Sequence, residues 1–161
     1  MNGYLKMKKN KQGGSSLIEV LITVLVLSVG LLGMATLQFD AVKLNHDSFL
    51  RSQAVNLAYD MSDRIRVNRS GANAGDYAIA IATAAPTVVD TPATPAEIAD
   101  SDMNNWLNNL AAELPSGDGS IAYRTDGDVN QFADEFTIQV CWDESRGNGA
   151  PLTCFSFVTG L

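Results

Sequence analysis

The feature that most constrains this chain is an uncharged run near the N-terminus, residues 20–39. As a helix, this run rises about 30 Å, which is the thickness of the hydrocarbon core of a bilayer. Four lysines precede it, so we expect the N-terminus to stay in the cytoplasm and the rest of the chain to face outward. An ordinary secretory signal peptide is the alternative, because Gly33, Met34 and Ala35 resemble a small-residue cleavage site.

Two features favour a permanent helix over a signal peptide. Glu19 lies within the apolar segment, where an acid costs roughly 2.5–3.5 kcal/mol on insertion scales and therefore usually has a partner and a role. Beyond residue 39 the helical pattern continues as an apolar stripe at spacings of three and four residues. The pattern predicts one helix of about 80 Å over residues 15–68, lipid-compatible and then amphipathic. The stripe consists of Leu50, Ala54, Leu57, Met61 and Ile65.

Charge is unevenly distributed along the chain. Residues 71–161 hold thirteen acids, and their only bases are Arg124 and Arg146, a net charge of −11. Such a surface repels the phosphates of nucleic acids, so no direct nucleic-acid binding is expected. It would also keep an exported domain soluble.

The distal half contains turn signals and short periodic segments. Residues 71–95 are rich in alanine, threonine, glycine and proline, which predicts a loop. A helix is predicted over 100–114, capped by Asp100 or Ser101. Its apolar face would consist of Met103, Trp106, Leu107, Leu110 and Leu114. Three strands are predicted to follow, at residues 121–124, 136–142 and 153–158.

The two cysteines connect the last two predicted strands. An even, local pair in an exported protein suggests a disulfide between Cys141 and Cys154. An antiparallel register that pairs them places every aromatic residue of the hairpin on the opposite face, which predicts the buried side. Closing this loop should contribute about 2–4 kcal/mol. The buried set would be Phe136, Ile138, Val140, Trp142, Phe155 and Phe157.

The segment from Gly14 to Val20, GSSLIEV, resembles the type III (prepilin) signal, in which a basic leader is cut after glycine and a glutamate stands fifth in the mature chain. Residues 27–38 and 54–69 resemble one branch of this family, the PilV-like type IV pilus modification proteins, which are minor pilins. The resemblance implies cleavage by prepilin peptidase between Gly14 and Ser15, N-methylation of Ser15, and an assembly role for Glu19. It covers roughly the first seventy residues.

The same resemblance implies the α+β pilin fold, a long N-terminal helix packed on a small C-terminal antiparallel sheet. Residues 1–14 would be the leader, 15–39 the transmembrane and assembly half of the helix, 40–70 its amphipathic half, and 71–161 the periplasmic head. Two positions depart from the family pattern. Ser15 stands where phenylalanine or methionine is usual, and Thr36 stands where major pilins often have proline, which favours a minor pilin.

The expected function is assembly or initiation of a type IV pilus, with motility, attachment and DNA uptake as outcomes of the whole system. The expected partners are other major and minor pilins, the prepilin peptidase, the inner-membrane assembly platform and the membrane. The subunit would reside in the inner membrane and then in an extracellular pilus. A type II secretion pseudopilin and a pilus-tip adhesin or binding module are the alternatives.

Signals for catalysis or metal binding are weak. Residues 126–130 begin like a calcium loop, but Gln131 stands in place of the required glycine and Thr137 in place of the final glutamate. His46 is the sole histidine, so neither a cysteine–histidine dyad nor a zinc site can be assembled. We therefore expect no enzyme activity, no cofactor and no metal.

Overall fold

The computed structural model describes residues 16–124, 135–145 and 147–161. Their contacts divide the chain into two units, Met1–Leu44 and Asn45–Leu161. Helix α1, Leu17–Val67, contributes to both. The long helix predicted for residues 15–68 is thus confirmed over its described part, while Ser15 lies outside the described residues.

The second half of α1 forms one wall of the core of the second unit. All five residues of the predicted apolar stripe are buried, from Leu50 to Ile65, together with Ala58 and Ser62 between them. The chain does not enter a loop at once after α1. Asn68 caps a short helix, α2 (Arg69–Ala74), and its side chain accepts a hydrogen bond from the amide of Gly71. The predicted loop therefore starts later than residue 71.

Helix α3 spans Pro95–Glu113 and begins five residues earlier than predicted. Its N-cap is Thr94, whose hydroxyl accepts from the Glu97 amide at 3.2 Å, while the Glu97 carboxylate accepts from the Thr94 amide at 2.9 Å. This reciprocal pair is a capping box, and the proline after the cap suits the first helical position. Asp100 and Ser101 lie inside the helix, so the predicted cap was wrong. The predicted apolar face is confirmed, with every member buried.

Three antiparallel strands complete the second unit: β1 (Asp118–Arg124), β2 (Glu135–Trp142) and β3 (Thr153–Gly160), in the order β1-β2-β3. The predicted register is confirmed, because Cys141 pairs with Cys154. These cysteines form a disulfide. The inward-facing residues of β2 are fully buried, whereas Phe155 and Phe157 share that face but are only half-buried. The difference follows from position, since β3 is an edge strand.

Within the second unit, contacts between elements join α1 to α3 and to the sheet. The Trp106 indole donates to the Leu57 carbonyl at 2.9 Å, which ties α3 to α1. The ring centroids of Tyr59 and Phe157 lie 4.7 Å apart, which ties α1 to β3. This arrangement confirms the expected α+β fold, a long helix packed on a small antiparallel sheet.

A polar cluster connects α1, the following loop and α3. Asp102 accepts hydrogen bonds from the Tyr77 hydroxyl at 2.8 Å and from the Arg64 guanidinium at 3.1 Å. Arg64 also bonds Asp60, one turn earlier on α1, at 2.9 Å. Burial, and then the bond to Asp102, raises the pKa of Tyr77, so its hydroxyl remains a donor at physiological pH.

Gly119 permits the close approach of β1 to α3. A Cβ at this position would lie 2.3 Å from Cη2 of Trp106 and 2.8 Å from Cδ1 of Leu110. Gly119→Ala should therefore lower the free energy of unfolding by about 1–3 kcal/mol, the usual effect of overpacking. Denaturant unfolding followed by fluorescence of Trp106 and Trp142 measures this loss. Ser120→Ala, on the opposite face of the same strand, is the control, and equal stability of Gly119→Ala and wild type would contradict the packing.

Candidate functional site

The start of helix α1 positions Glu19. The carbonyl of Ser16 accepts hydrogen bonds from the amides of Glu19 at 2.8 Å and of Val20 at 3.3 Å, so the carboxylate lies in the first helical turn. Negative charge is favoured there, because the unpaired amides and the helix dipole make that end positive. Gly14 and Ser15, the predicted cleavage and methylation residues, lie outside the described residues.

The apolar side chains of this first segment are exposed. Leu17, at the start, exposes 89% of its surface and Phe39, at the end of the uncharged run, exposes 78%. Among the described residues α1 is the helix that is long and apolar enough to cross a bilayer, by length and composition. Side chains that remain this apolar and exposed need a lipid or protein environment to cover them.

The hydroxyl groups within the apolar run are satisfied by the helix itself. Thr23 donates to the Val20 carbonyl at 2.8 Å, Ser28 to that of Val24 at 2.7 Å, and Thr36 to that of Leu32 at 2.8 Å. Such internal bonds remove the penalty of carrying a hydroxyl into an apolar medium.

Glu19 is consequently the one ionisable side chain within residues 16–39. Internal hydroxyl bonds cannot offset a charge, so Glu19 needs an ionic partner when its surroundings lose water.

Helix α1 runs without interruption through Gly30, Gly33 and Thr36, the positions at which its backbone could most easily bend. Apart from the adjacent helix backbone, a Cβ added at either glycine would meet no described atom within 4 Å, so neither glycine is needed for a close approach to another described residue.

Among the described residues, the remaining candidates are not grouped into a catalytic or metal site. His46 lies exposed on α1, and both cysteines are bonded to each other. Within the described ranges no group of three or more histidine, cysteine, aspartate or glutamate residues is placed to hold a metal. The calcium-like segment, residues 126–130, lies outside those ranges.

Two protein-family models match adjacent stretches of the chain. Residues 9–35 match the prokaryotic N-terminal methylation motif, a stretch that includes Gly14, Ser15 and Glu19. Residues 36–104 match the model described as type IV pilin Tt1218. No curated protein and no solved structure matches the chain significantly. The type IV pilin family is structural and non-enzymatic, and its prepilin motif implies prepilin peptidase and the pilus machinery as general partners. With an apolar N-terminal helix, a methylation motif and a C-terminal disulfide, this chain is similar to type IV pilins over residues 9–104.

Proposed function

We propose that this chain is a minor pilin, similar to the PilV-like proteins, that acts in assembly or initiation of a type IV pilus. The observation that carries the proposal is the continuity of the two matched regions. The methylation motif ends at residue 35 and the type IV pilin match begins at residue 36, on one unbroken helix. Thr36, in place of the proline often found there in major pilins, supports a minor subunit.

The proposed maturation begins with prepilin peptidase, which cuts after Gly14 and methylates the new N-terminus at Ser15. The N-terminus is cytoplasmic and the head is periplasmic, an orientation supported by the four lysines of the leader. The disulfide between Cys141 and Cys154 supports the same orientation, because such bonds persist in oxidising compartments. The subunit then leaves the inner membrane for an extracellular filament.

Glu19 provides the proposed assembly step. On a helix, Ser15 and Glu19 are separated by about 6 Å along the axis, so the carboxylate can pair with its own α-amino group or with that of a neighbour. Both charges attract strongly in a medium of low dielectric constant, and either one alone is penalised. Pairing therefore favours docking of the apolar segment among the corresponding segments of other major and minor pilins, at the assembly platform.

Deletion of the gene tests this function. We expect a strain without the chain to show few or no surface pili and impaired twitching, with normal release of type II secretion substrates. Complementation with the wild-type gene should restore the pili. Normal piliation combined with failed secretion would instead identify a secretion pseudopilin and would refute the proposal.

A further inference from the structure

The two halves of the disulfide between Cys141 and Cys154 differ in their exposure to solvent. Cys141 lies in β2, the central strand of the sheet, and only 1% of its surface is exposed. Cys154 lies in β3, the last strand of the sheet, and is exposed. Disulfides form and break by attack of a thiolate on a sulfur that it can reach, so this difference decides which sulfur reacts with an external partner.

Both cysteines lie on the face of the sheet that is turned away from the core. Side chains of a strand alternate between the two faces, and Cys154 shares its face with Ser156 and Val158, which are also exposed. Cys141 is covered on the same face. Its partners in the register are Asp118 of β1 on one side and Cys154 of β3 on the other. An external molecule can therefore approach Cys154, whereas Cys141 is shielded.

The charges around the two sulfurs favour the same member of the pair. The side chains of directly opposed residues begin only about 4.5–5.5 Å apart, so Asp118 lies beside Cys141. The Asp118 carboxylate is held in place there by the amide of Ala82, which donates to it at 2.7 Å. A buried sulfur beside a carboxylate holds the negative charge of a thiolate poorly. Cys154 faces water on a strand, residues 153–160, that contains no charged residue, so its thiolate is not opposed in this way.

Pairing of β2 with β3 keeps this difference when the disulfide is open. The ladder continues from Glu135 opposite Gly160 to Trp142 opposite Thr153, so backbone hydrogen bonds hold the register without the sulfur bond. The reduced chain should therefore retain an exposed Cys154 and a covered Cys141. Because the two residues are directly opposed, Cys141 can reach the Cys154 sulfur without movement of either strand.

We propose that Cys154 is the sulfur that reacts with an external disulfide when the Cys141–Cys154 bond is made, and that Cys141 is the resolving cysteine. In the reduced fold, the Cys154 thiolate attacks the external disulfide, forms a mixed disulfide and expels one external thiolate. Cys141 then gives its proton to water and attacks the Cys154 sulfur, which expels the second external thiolate. Two thiols of the chain are oxidised and one external disulfide is reduced to two thiols. Reduction of the bond follows the same path in reverse. The inference is independent of the role in pilus assembly, because it concerns the sheet of the second unit alone.

Glutathione disulfide tests the assignment on the reduced full chain in detergent micelles. The reaction is stopped with acid at short times, and mass spectrometry of peptides locates the glutathione. We expect at least about tenfold more glutathione on Cys154 than on Cys141 in the folded chain. In urea the two cysteines lose their different surroundings, so the preference should disappear. A reaction with oxidised protein disulfide isomerase at the same concentration distinguishes a protein oxidant from a small one, and whichever closes the bond faster is the source.

Serine variants with one thiol each provide the second measurement. Cys141→Ser, which keeps the exposed Cys154, should react with glutathione disulfide at least about tenfold faster than Cys154→Ser, which keeps the covered Cys141. If Cys141→Ser fails to fold, Cys154→Ser still tests the shielding, because its thiol should react at least about tenfold more slowly when folded than in urea. The proposal is overturned if the folded chain carries as much glutathione on Cys141 as on Cys154, or if a mixed disulfide forms only in urea. It is also overturned if Cys154→Ser reacts equally fast in both states.

Discussion

Glu19→Ala is expected to give a processed, stable, membrane-resident subunit that does not enter filaments. The substitution removes an intramembrane acid, so membrane insertion should be unharmed or easier by up to roughly 2.5–3.5 kcal/mol. The α-amino group of Ser15 would then enter the apolar filament interior without a counter-charge. Removing one partner of a buried ion pair costs about 3–5 kcal/mol, which corresponds to a loss of more than a hundredfold in docking.

The measurement compares membrane fractions with sheared filaments from a strain that lacks the native copy. Asp40→Ala is the matched control, because Asp40 is also an acid of α1 but lies just beyond the uncharged run. The control variant should enter filaments normally. Recovery of Glu19→Ala in filaments at the wild-type level would show that Glu19 is a tolerated helix residue and that the proposed pairing is wrong.

Cys141→Ser is expected to lower the free energy of unfolding by about 2–5 kcal/mol. The disulfide joins adjacent strands across a sequence separation of 13 residues, and its loss frees the edge strand β3 at its start. Cys141 is buried and Cys154 is exposed. A serine hydroxyl at 141 therefore also loses water, so Cys141→Ser should be less stable than Cys154→Ser.

Urea unfolding of the purified chain, followed by tryptophan fluorescence, measures these differences. Wild type treated with reductant serves as the control and should resemble Cys154→Ser. Equal stability of oxidised wild type, reduced wild type and both serine variants would contradict a stabilising disulfide. Alkylation of both thiols in unreduced protein exported to the periplasm would contradict the disulfide itself.

Elements with a strong period were predictable from the sequence. Leu50 to Ile65 repeat at helical spacing, and the register that pairs Cys141 with Cys154 places the aromatic residues of β2 and β3 on one face. Both predictions depend on patterns within short segments, and the packing of the second unit agrees with these patterns. Phe155 and Phe157 are only half-buried because β3 is the last strand of the sheet. The sequence of one hairpin does not show which of its strands lies at the edge.

Boundaries set by single side chains were harder to predict. The alanine-, threonine- and proline-rich stretch before Asp100 resembles a loop, so the pattern predicts that α3 starts at Asp100. The spacing of Thr94 and Glu97 around Pro95 is nevertheless a capping-box signal that could have identified the true start. The first predicted strand begins at residue 121, whereas Gly119 already lies in β1, where the Trp106 ring occupies the space that a side chain would need. That contact joins distant parts of the chain and leaves no local signal.

The candidate site was predictable in a different way. Glu19 is conspicuous because it is an acid in an apolar run, so composition alone identifies it. Gly14 and Ser15 have no comparable physical signature, and their proposed roles depend on resemblance to the prepilin signal and on the methylation motif matched over residues 9–35.

The most direct test of the account is the intact mass and N-terminal sequence of this chain recovered from sheared pili. We predict a chain that lacks residues 1–14, begins at Ser15 and carries one methyl group. That result would show both maturation after Gly14 and entry into the filament. A chain that begins at Thr36, or one confined to the membrane fraction of a piliated wild-type strain, would contradict the account.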